Sequence, residues 1–191
     1  MKHWQKKYLL SFSLFALAGF SAGCGHSVED QFIYGKNRIH CDNATITVAT
    51  PFELISDGKQ VDLGARDAQV VHAEGHNGNM QLLVTGNKKS AELSEEILVS
   101  QAEEVLRNNS NLSNIKADTK EIALGTVKAH ELTFSFTESS RGRQTNLTVK
   151  EYIFSQSDVV WRVIYQYRSN DEIGKALVDR LAGQIVLGSE F

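Results

Sequence analysis

The sequence has few of the residues that interrupt or crosslink a chain. It contains one proline, Pro51, and two cysteines, Cys24 and Cys41. A chain with two cysteines has no disulfide framework, so a buried apolar core must stabilise its fold. The apolar segment at 8–20 is shorter than the roughly 20 residues that cross a bilayer as a helix. The sequence therefore predicts neither a disulfide-rich scaffold nor a membrane-spanning helix in this segment.

Motifs of several common enzyme classes are also missing. The sequence has no glycine-rich phosphate loop, no zinc-ligand spacing and no Gly-x-Ser-x-Gly nucleophile motif. We therefore predict that the protein is not an enzyme and needs no metal or other cofactor. Acidic residues outnumber basic ones by 23 to 20, and the excess rises to six without the three lysines of residues 1–23. A domain of this charge is a poor binder of nucleic acid.

The N-terminal segment has the pattern of an export signal. Lys2, Lys6 and Lys7 form a basic head, and no acidic residue occurs before Glu29. The apolar segment at 8–20 follows, and small residues lead on to Cys24. This order is typical of signal peptides. A buried N-terminal helix is the alternative, but the segment has no polar face at helical spacing. We assign residues 1–23 to the signal peptide and expect an exported protein.

Residues Ser21, Ala22, Gly23 and Cys24 resemble the lipobox of bacterial lipoproteins. The resemblance implies cleavage before Cys24 and acyl chains on its sulfur, which would anchor the mature protein to a membrane. Ser21 stands where a lipobox usually has leucine. Cleavage after Ala22 or Gly23, which would release a soluble secreted protein, is the alternative. Gly25 in place of aspartate implies the outer membrane if the bacterium has two membranes.

The residues next to the second cysteine suggest a catalytic nucleophile, but their spacing argues against one. His40 and Asp42 flank Cys41. Adjacent residues on an extended chain point to opposite sides, so this run does not build a catalytic Cys–His pair. If Cys24 is acylated, Cys41 is left without a disulfide partner. If Cys24 is not acylated, a disulfide between the two is possible.

The mature chain divides into a tether at 24–37 and a single domain at 38–191. Its clearest element is a β-hairpin centred on Asn77-Gly78, a dipeptide favoured in two-residue type I′ turns. Such a turn pairs His76 with Asn79. His72 and His76 then lie about 13 Å apart along one strand, too far to share a metal ion. We interpret both histidines as structural or surface residues.

Two amphipathic helices and several further strands are predicted. The first helix begins after Ser94, and the second begins with a capping box from Ser169 to Glu172 and ends at Gly183. Residues 108–114 read as a polar loop. Strands are predicted within 44–55, 128–138, 144–155, 158–168 and 184–189. The predicted fold class is α+β, a mostly antiparallel sheet covered by the two helices.

Five segments together resemble the PsbP-like family. They are "ITVATPFELI", "MQLLVTGN", "LSEEILVSQAEEVL", "ALGTVKAHELTFSF" and "SNDEIGKALVDRLAGQIVL", which lie within residues 45–187. The resemblance lies in the order of elements and in a small-residue turn at Gly125. It implies an α-β-α sandwich and an accessory or interaction role, and it carries over no catalytic residue.

Two places in the domain are candidates for binding. Arg141 and Arg143, in the loop "ESSRGR", are suited to contact a carboxylate or phosphate of a partner, with a solvated turn as the alternative. Trp161 and Tyr165 share one side of a strand and could line a ligand groove, with core packing as the alternative. We predict a membrane-anchored envelope lipoprotein that is a non-enzymatic accessory or protein-interaction module. The alternative function is small-ligand binding near Trp161 and Tyr165.

Overall fold

The described part of the chain consists of two antiparallel sheets and two helices. The structure, a computed structural model, describes residues 32–56, 59–60 and 68–188. The helices are α1 (Glu95–Arg107) and α2 (Glu172–Ala182). The strands are β1 (Gly35–Cys41), β2 (Ala44–Thr50), β3 (Ile55–Ser56), β4 (Lys59–Gln60), β5 (Val70–His76), β6 (Met80–Lys88), β7 (Leu112–Leu124), β8 (Val127–Ser140), β9 (Arg143–Gln156), β10 (Val159–Arg168) and β11 (Val186–Leu187).

The strands form one large and one small sheet. The large sheet has eight strands in the order β4-β3-β5-β6-β10-β9-β8-β7, and the small sheet has three in the order β1-β2-β11. Of the described residues, 60% lie in strands and 16% in helices. The predicted α+β class, a PsbP-like α-β-α sandwich, is therefore wrong, and the fold is β-rich. The prediction failed because a second sheet, rather than helices alone, covers part of the large sheet.

The sequence pattern does not predict strand β7, because its first residues have the composition of a polar loop. Most of its side chains are exposed, and it carries charged residues such as Lys116, Asp118 and Lys120 in place of alternating apolar ones. Among the described strands, it lies at the edge of the large sheet and pairs only with β8. Charged side chains are a common feature of edge strands, where they discourage pairing with other chains. A strand of this kind leaves no period-two apolar pattern in the sequence.

The main core lies between one face of the large sheet and a layer made of the small sheet and α2. From β10 it takes Trp161, Val163 and Tyr165, as their shared side predicted. The small sheet contributes Ile39 and Ile46 among others, and α2 contributes Leu177, Val178 and Leu181. All of these side chains are fully buried. Burial of large apolar side chains, about 1.5–3 kcal/mol each, is the main stabilising term for a domain without disulfides.

A second apolar cluster lies on the opposite face of the large sheet, under α1. Its buried members are Leu132, Phe134, Phe136, Leu147, Val149, Ile153 and Val160. Helix α1 begins after Ser94, whose side chain accepts a hydrogen bond from the Ile97 amide at 3.4 Å, which confirms the predicted N-cap. Leu98, Ala102 and Leu106 pack on the cluster, yet no residue of α1 is buried.

The predicted hairpin is present, but its turn is displaced by one residue. Strands β5 and β6 pair His76 with Gln81, so the two loop residues are Gly78 and Asn79. The Asn77 side chain accepts hydrogen bonds from the backbone amides of Asn79 and Met80, at 2.9 and 3.0 Å. This Asx turn holds the loop without positive φ at either central residue. The type I′ assignment and the pairing of His76 with Asn79 are therefore wrong.

Helix α2 begins two residues later than its capping box predicted. Asp171 is the N-cap, and its carboxylate accepts a hydrogen bond from the Gly174 amide at 3.0 Å. Ser169 instead bonds the Thr148 hydroxyl at 2.9 Å. The end of the helix at Gly183 and the final strand β11 are confirmed.

The folded unit begins before the predicted domain start at residue 38. A compact unit extends from Phe32, and Phe32 and Tyr34 pack against the main core. Strand β1 starts at Gly35. The predicted signal peptide and the predicted lipidation site, Cys24, lie outside the described residues.

Candidate functional site

A half-open groove separates α1 from the large sheet. It encloses a cavity of about 310 Å³. The α1 side is formed by Leu98, Gln101, Ala102, Val105 and Leu106, and the sheet side by Phe134, Phe136, Val149, Glu151, Arg162, Ile164 and Gln166. The volume lies near the lower end of the range of about 300–1,000 Å³ for small-molecule sites. The walls are mainly apolar, with a few polar groups on the floor.

The floor contains an ion pair between two neighbouring strands. Nε of Arg162 on β10 donates to Oε1 of Glu151 on β9 at 2.5 Å. The Glu151 side chain is 5% exposed and that of Arg162 is 33% exposed. A buried carboxylate is costly unless it is paired, so Arg162 is needed to hold Glu151 in the apolar cluster.

A polar depression adjoins the groove at the end of β10. It has a volume of about 220 Å³ and shares Gln166 with the groove. Its lining is His76, Asn77, Gly78, Asn79, Met80, Gln81, Leu147, Gln166, Tyr167 and Arg168. Ile164, Gln166 and Arg168 follow one another on the same side of β10, since alternate residues of a strand share a face. The two spaces therefore lie in sequence along one strand.

The two predicted ligand-face aromatics lie on the other face of β10. Trp161 and Tyr165 have no exposed surface, and the Tyr165 ring packs edge-on against Tyr152 with centroids 6.2 Å apart. Burial raises the pKa of the Tyr165 hydroxyl well above its ordinary value. Both residues belong to the main core. The strand that carries them lines a groove with its alternate residues, Arg162, Ile164 and Gln166.

The predicted partner-contact arginines lie where β8 turns into β9. Arg141 and Gly142 form the loop, with φ of 49° and 74°, and Arg143 is the first residue of β9. Positive φ at both loop positions is the signature of a type I′ turn. Both arginines are exposed, and neither takes part in an ion pair among the residues that the structure describes.

The other residues considered for chemistry are dispersed. His72 and His76 lie on β5, as predicted, and His72 approaches Glu74 at 3.5 Å. Within residues 32–56 and 68–188, no three acidic, histidine or cysteine side chains are grouped as a metal site would require. The buried Cys41 thiol donates to the Ala68 carbonyl at 3.4 Å, and burial raises its pKa. A raised pKa disfavours the reactive thiolate.

The groove was missed by sequence reasoning, although one signal for it is present. Val149, Glu151 and Ile153 alternate along β9, and Val160, Arg162 and Ile164 along β10. Opposite charges thus interrupt two apolar faces at nearby register positions, with Arg162 opposite Ile153. Opposite charges within apolar runs indicate a buried ion pair, but they do not predict that a helix packs over this part of the sheet.

The structural comparisons give a fold likeness. LpqN of Mycobacterium tuberculosis, described as involved in cell envelope biogenesis, matches with a TM-score of 0.51 and 11% identity, over 86% of this chain and 99% of LpqN. A protein of unknown function from Pseudomonas aeruginosa, PA94, described as a putative regulator, matches with a TM-score of 0.46 and 13% identity, over 83% of this chain and 99% of PA94. The first likeness shows a shared fold, and the second is too weak to support an inference.

The chain has no match among protein-family models or curated proteins. The PsbP-like resemblance is not supported by these comparisons. In the described residues, neither helix is long and apolar enough to span a membrane.

Proposed function

We propose that this protein is an exported accessory protein of the bacterial cell envelope, held at a membrane by acyl chains on Cys24, and that it acts by binding rather than by catalysis. The observation that carries the proposal is the sequence pattern typical of an export signal at residues 1–23, followed directly by Cys24. The fold shared with LpqN, a protein of envelope biogenesis, supports the same location. Two or more acyl chains give stable attachment to a membrane, which a mildly acidic domain would not otherwise have.

The geometry of the groove supports binding over acid–base chemistry. Glu151 and Arg162 already satisfy one another at 2.5 Å, which leaves the carboxylate engaged rather than poised for proton transfer. A concave, mainly apolar space with a few fixed polar groups, such as this half-open groove, is the usual form of a small-ligand site. The ligand-binding alternative is therefore retained, with its site moved to the opposite face of β10 from Trp161 and Tyr165.

Cell fractionation tests the location. The wild-type chain and the Cys24→Ala variant would be expressed in a bacterial host and their membranes separated, with Cys41→Ala as the matched control. We expect Cys24→Ala to leave the membrane fraction and Cys41→Ala to stay in it. Metabolic labelling with an alkyne palmitate should mark the wild type and the Cys41 variant only. Membrane retention of Cys24→Ala, or labelling of that variant, contradicts the anchor.

A protein partner would most readily contact the hairpin tip. Arg141 and Arg143 are exposed basic residues two positions apart, and neither forms an ion pair with another described residue. Guanidinium groups bind carboxylates and phosphates through paired hydrogen bonds. This proposal remains separate from the groove, because substitutions at the tip do not alter the groove lining.

A further inference from the structure

Helix α1 covers its part of the sheet incompletely. An amphipathic helix normally buries its apolar stripe, yet α1 has no buried residue. The floor beneath it is nevertheless buried, since Phe134 is 2% exposed and Val149 is 8% exposed. Between floor and helix lies the cavity of about 310 Å³. Because α1 and the sheet present apolar walls with space between them, an apolar chain could fill this space and contact both walls.

At one end, the groove leads into the polar depression. Following β10 from Ile164 to Arg168, the walls change from apolar side chains to Gln166, Gln81, His76 and Arg168. Four residues of strand cover about 13 Å. Together, the apolar groove and the polar depression form one continuous space. This is the complement of an amphiphile with one hydrocarbon chain and one small head group.

The charges at the polar end favour an anion. Arg168 is exposed and takes part in no ion pair among the residues that the structure describes. The nearby Asp171 carboxylate, whose pKa Arg168 helps to lower, offsets part of this positive charge, but it is already held by hydrogen bonds from Asn79 and Gly174, so Arg168 is the charged donor left to bind an anion. Within the groove, the Glu151 carboxylate is paired with the Arg162 guanidinium.

We propose that the groove under α1 binds a single-chain amphiphile with an anionic head, such as a fatty acid or an alkyl phosphate. The hydrocarbon chain lies between α1 and the apolar floor, and the head group lies in the depression beside Arg168 and Gln81. The inference rests on the proposed binding role and names the ligand class for it. It does not depend on Cys24, so its test is separate from fractionation.

Binding is measured on the full chain carrying Cys24→Ala, which has no acyl chains of its own to compete. The probe is a dansyl-labelled undecanoic acid, whose fluorescence rises and shifts to the blue in an apolar site. We expect saturable binding and displacement by laurate and by lauryl phosphate. The relative strength of these two competitors distinguishes a carboxylate from a phosphate head. The glycerol monoester of lauric acid, which has the same chain and a neutral head, should displace the probe less well.

Two variants test the two ends of the site. Ala102→Phe enlarges a partly buried side chain on the α1 wall, fills the groove and should abolish probe binding. Arg168→Gln should weaken laurate roughly tenfold and leave the neutral monoester unchanged, because one charged hydrogen-bonding partner of the head is lost. Arg143→Gln, which removes an equal charge outside the depression, is the matched control and should have a smaller effect. Thermal unfolding confirms that each variant is folded.

Several outcomes would overturn the proposal. They are the absence of saturable probe binding, wild-type affinity in Ala102→Phe, and equal loss of laurate and monoester in Arg168→Gln. The molar mass from light scattering tests whether a second copy of the chain occupies the groove. A wild-type dimer that Ala102→Phe converts to a monomer would show that a second copy of the chain, rather than an amphiphile, covers this face.

Discussion

Gly86 on β6 lies directly opposite Trp161 on β10, and the indole ring occupies the space beside the glycine. A Cβ atom at residue 86 would come within 2.5 Å of Cζ3 of Trp161. Trp161 is fully buried, so it cannot swing out to make room. The absence of a side chain at Gly86 is therefore what allows the largest residue of the main core to pack flat on the sheet.

We expect Gly86→Ala to destabilise the protein by about 1–3 kcal/mol, because the added methyl group forces Trp161 out of its position. The measurement is the midpoint of urea unfolding, followed by Trp161 fluorescence and by circular dichroism. Gly35→Ala is the control, since the nearest atom to a Cβ there is 3.9 Å away. An unchanged midpoint for Gly86→Ala would contradict the packing described here.

The two hairpin glycines should respond differently to the same substitution. Gly142 has φ of 74°, a region that β-branched residues rarely adopt, so Gly142→Val should cost about 1–2 kcal/mol. Gly78 lacks positive φ, and a Cβ there meets no atom within 4 Å. Gly78→Val should therefore change stability by no more than about 0.5 kcal/mol. Equal losses in the two variants would indicate that the Asn77 turn is of the type I′ form after all.

The N-cap of α2 should give an acid-dependent contribution to stability. Partial burial of Asp171 acts to raise the pKa of its carboxyl, but hydrogen bonds, from the Gly174 amide and the Asn79 side chain among others, lower it below 3.8. A carboxyl with a depressed folded-state pKa stabilises the fold above its unfolded-state pKa. That stabilisation is lost as pH falls through the lower, folded-state value.

Asp171→Ala should therefore lose about 1 kcal/mol at neutral pH. The difference from wild type should shrink as the pH falls below 3.8. Ser169→Ala is the matched comparison, because the sequence favoured it as the cap while its hydroxyl bonds Thr148. It should show no such pH dependence. Unfolding in urea at a series of pH values measures both, and a pH-dependent loss in Ser169→Ala would restore the capping box.

The hairpin tip should be dispensable for folding but needed for an acidic partner. Arg141→Asn with Arg143→Gln removes both charges, and asparagine tolerates the positive φ of residue 141. We expect an unchanged unfolding midpoint and weaker partner crosslinking in envelopes, with the difference largest at low salt. Lys175→Gln, an exposed charge on α2, is the control. Identical crosslinking by both variants at low and high salt would leave the tip a solvated turn.

The sequence by itself determined the local features of this protein. The export pattern before Cys24, the start of α1 at Ser94 and the end of α2 at Gly183 all depend on residues close in the chain. The alternation of Trp161 and Tyr165 also predicted correctly that they share a face. Local chemistry suffices for these features because they are set by backbone geometry within a few residues, but it misplaced the turn of the β5–β6 hairpin and the N-cap of α2.

The tertiary structure decided what each face meets. Because side chains alternate along β10, Trp161 and Arg162 lie on opposite faces of the sheet. This alternation does not indicate which face is covered by the small sheet and α2 and which face is covered by α1. Strand β7 exists because β8 supplies its hydrogen-bonding partner, not because its own residues favour burial. The groove is a property of the distance between α1 and the floor of the sheet. That distance follows from long-range packing, which no single segment of the sequence encodes.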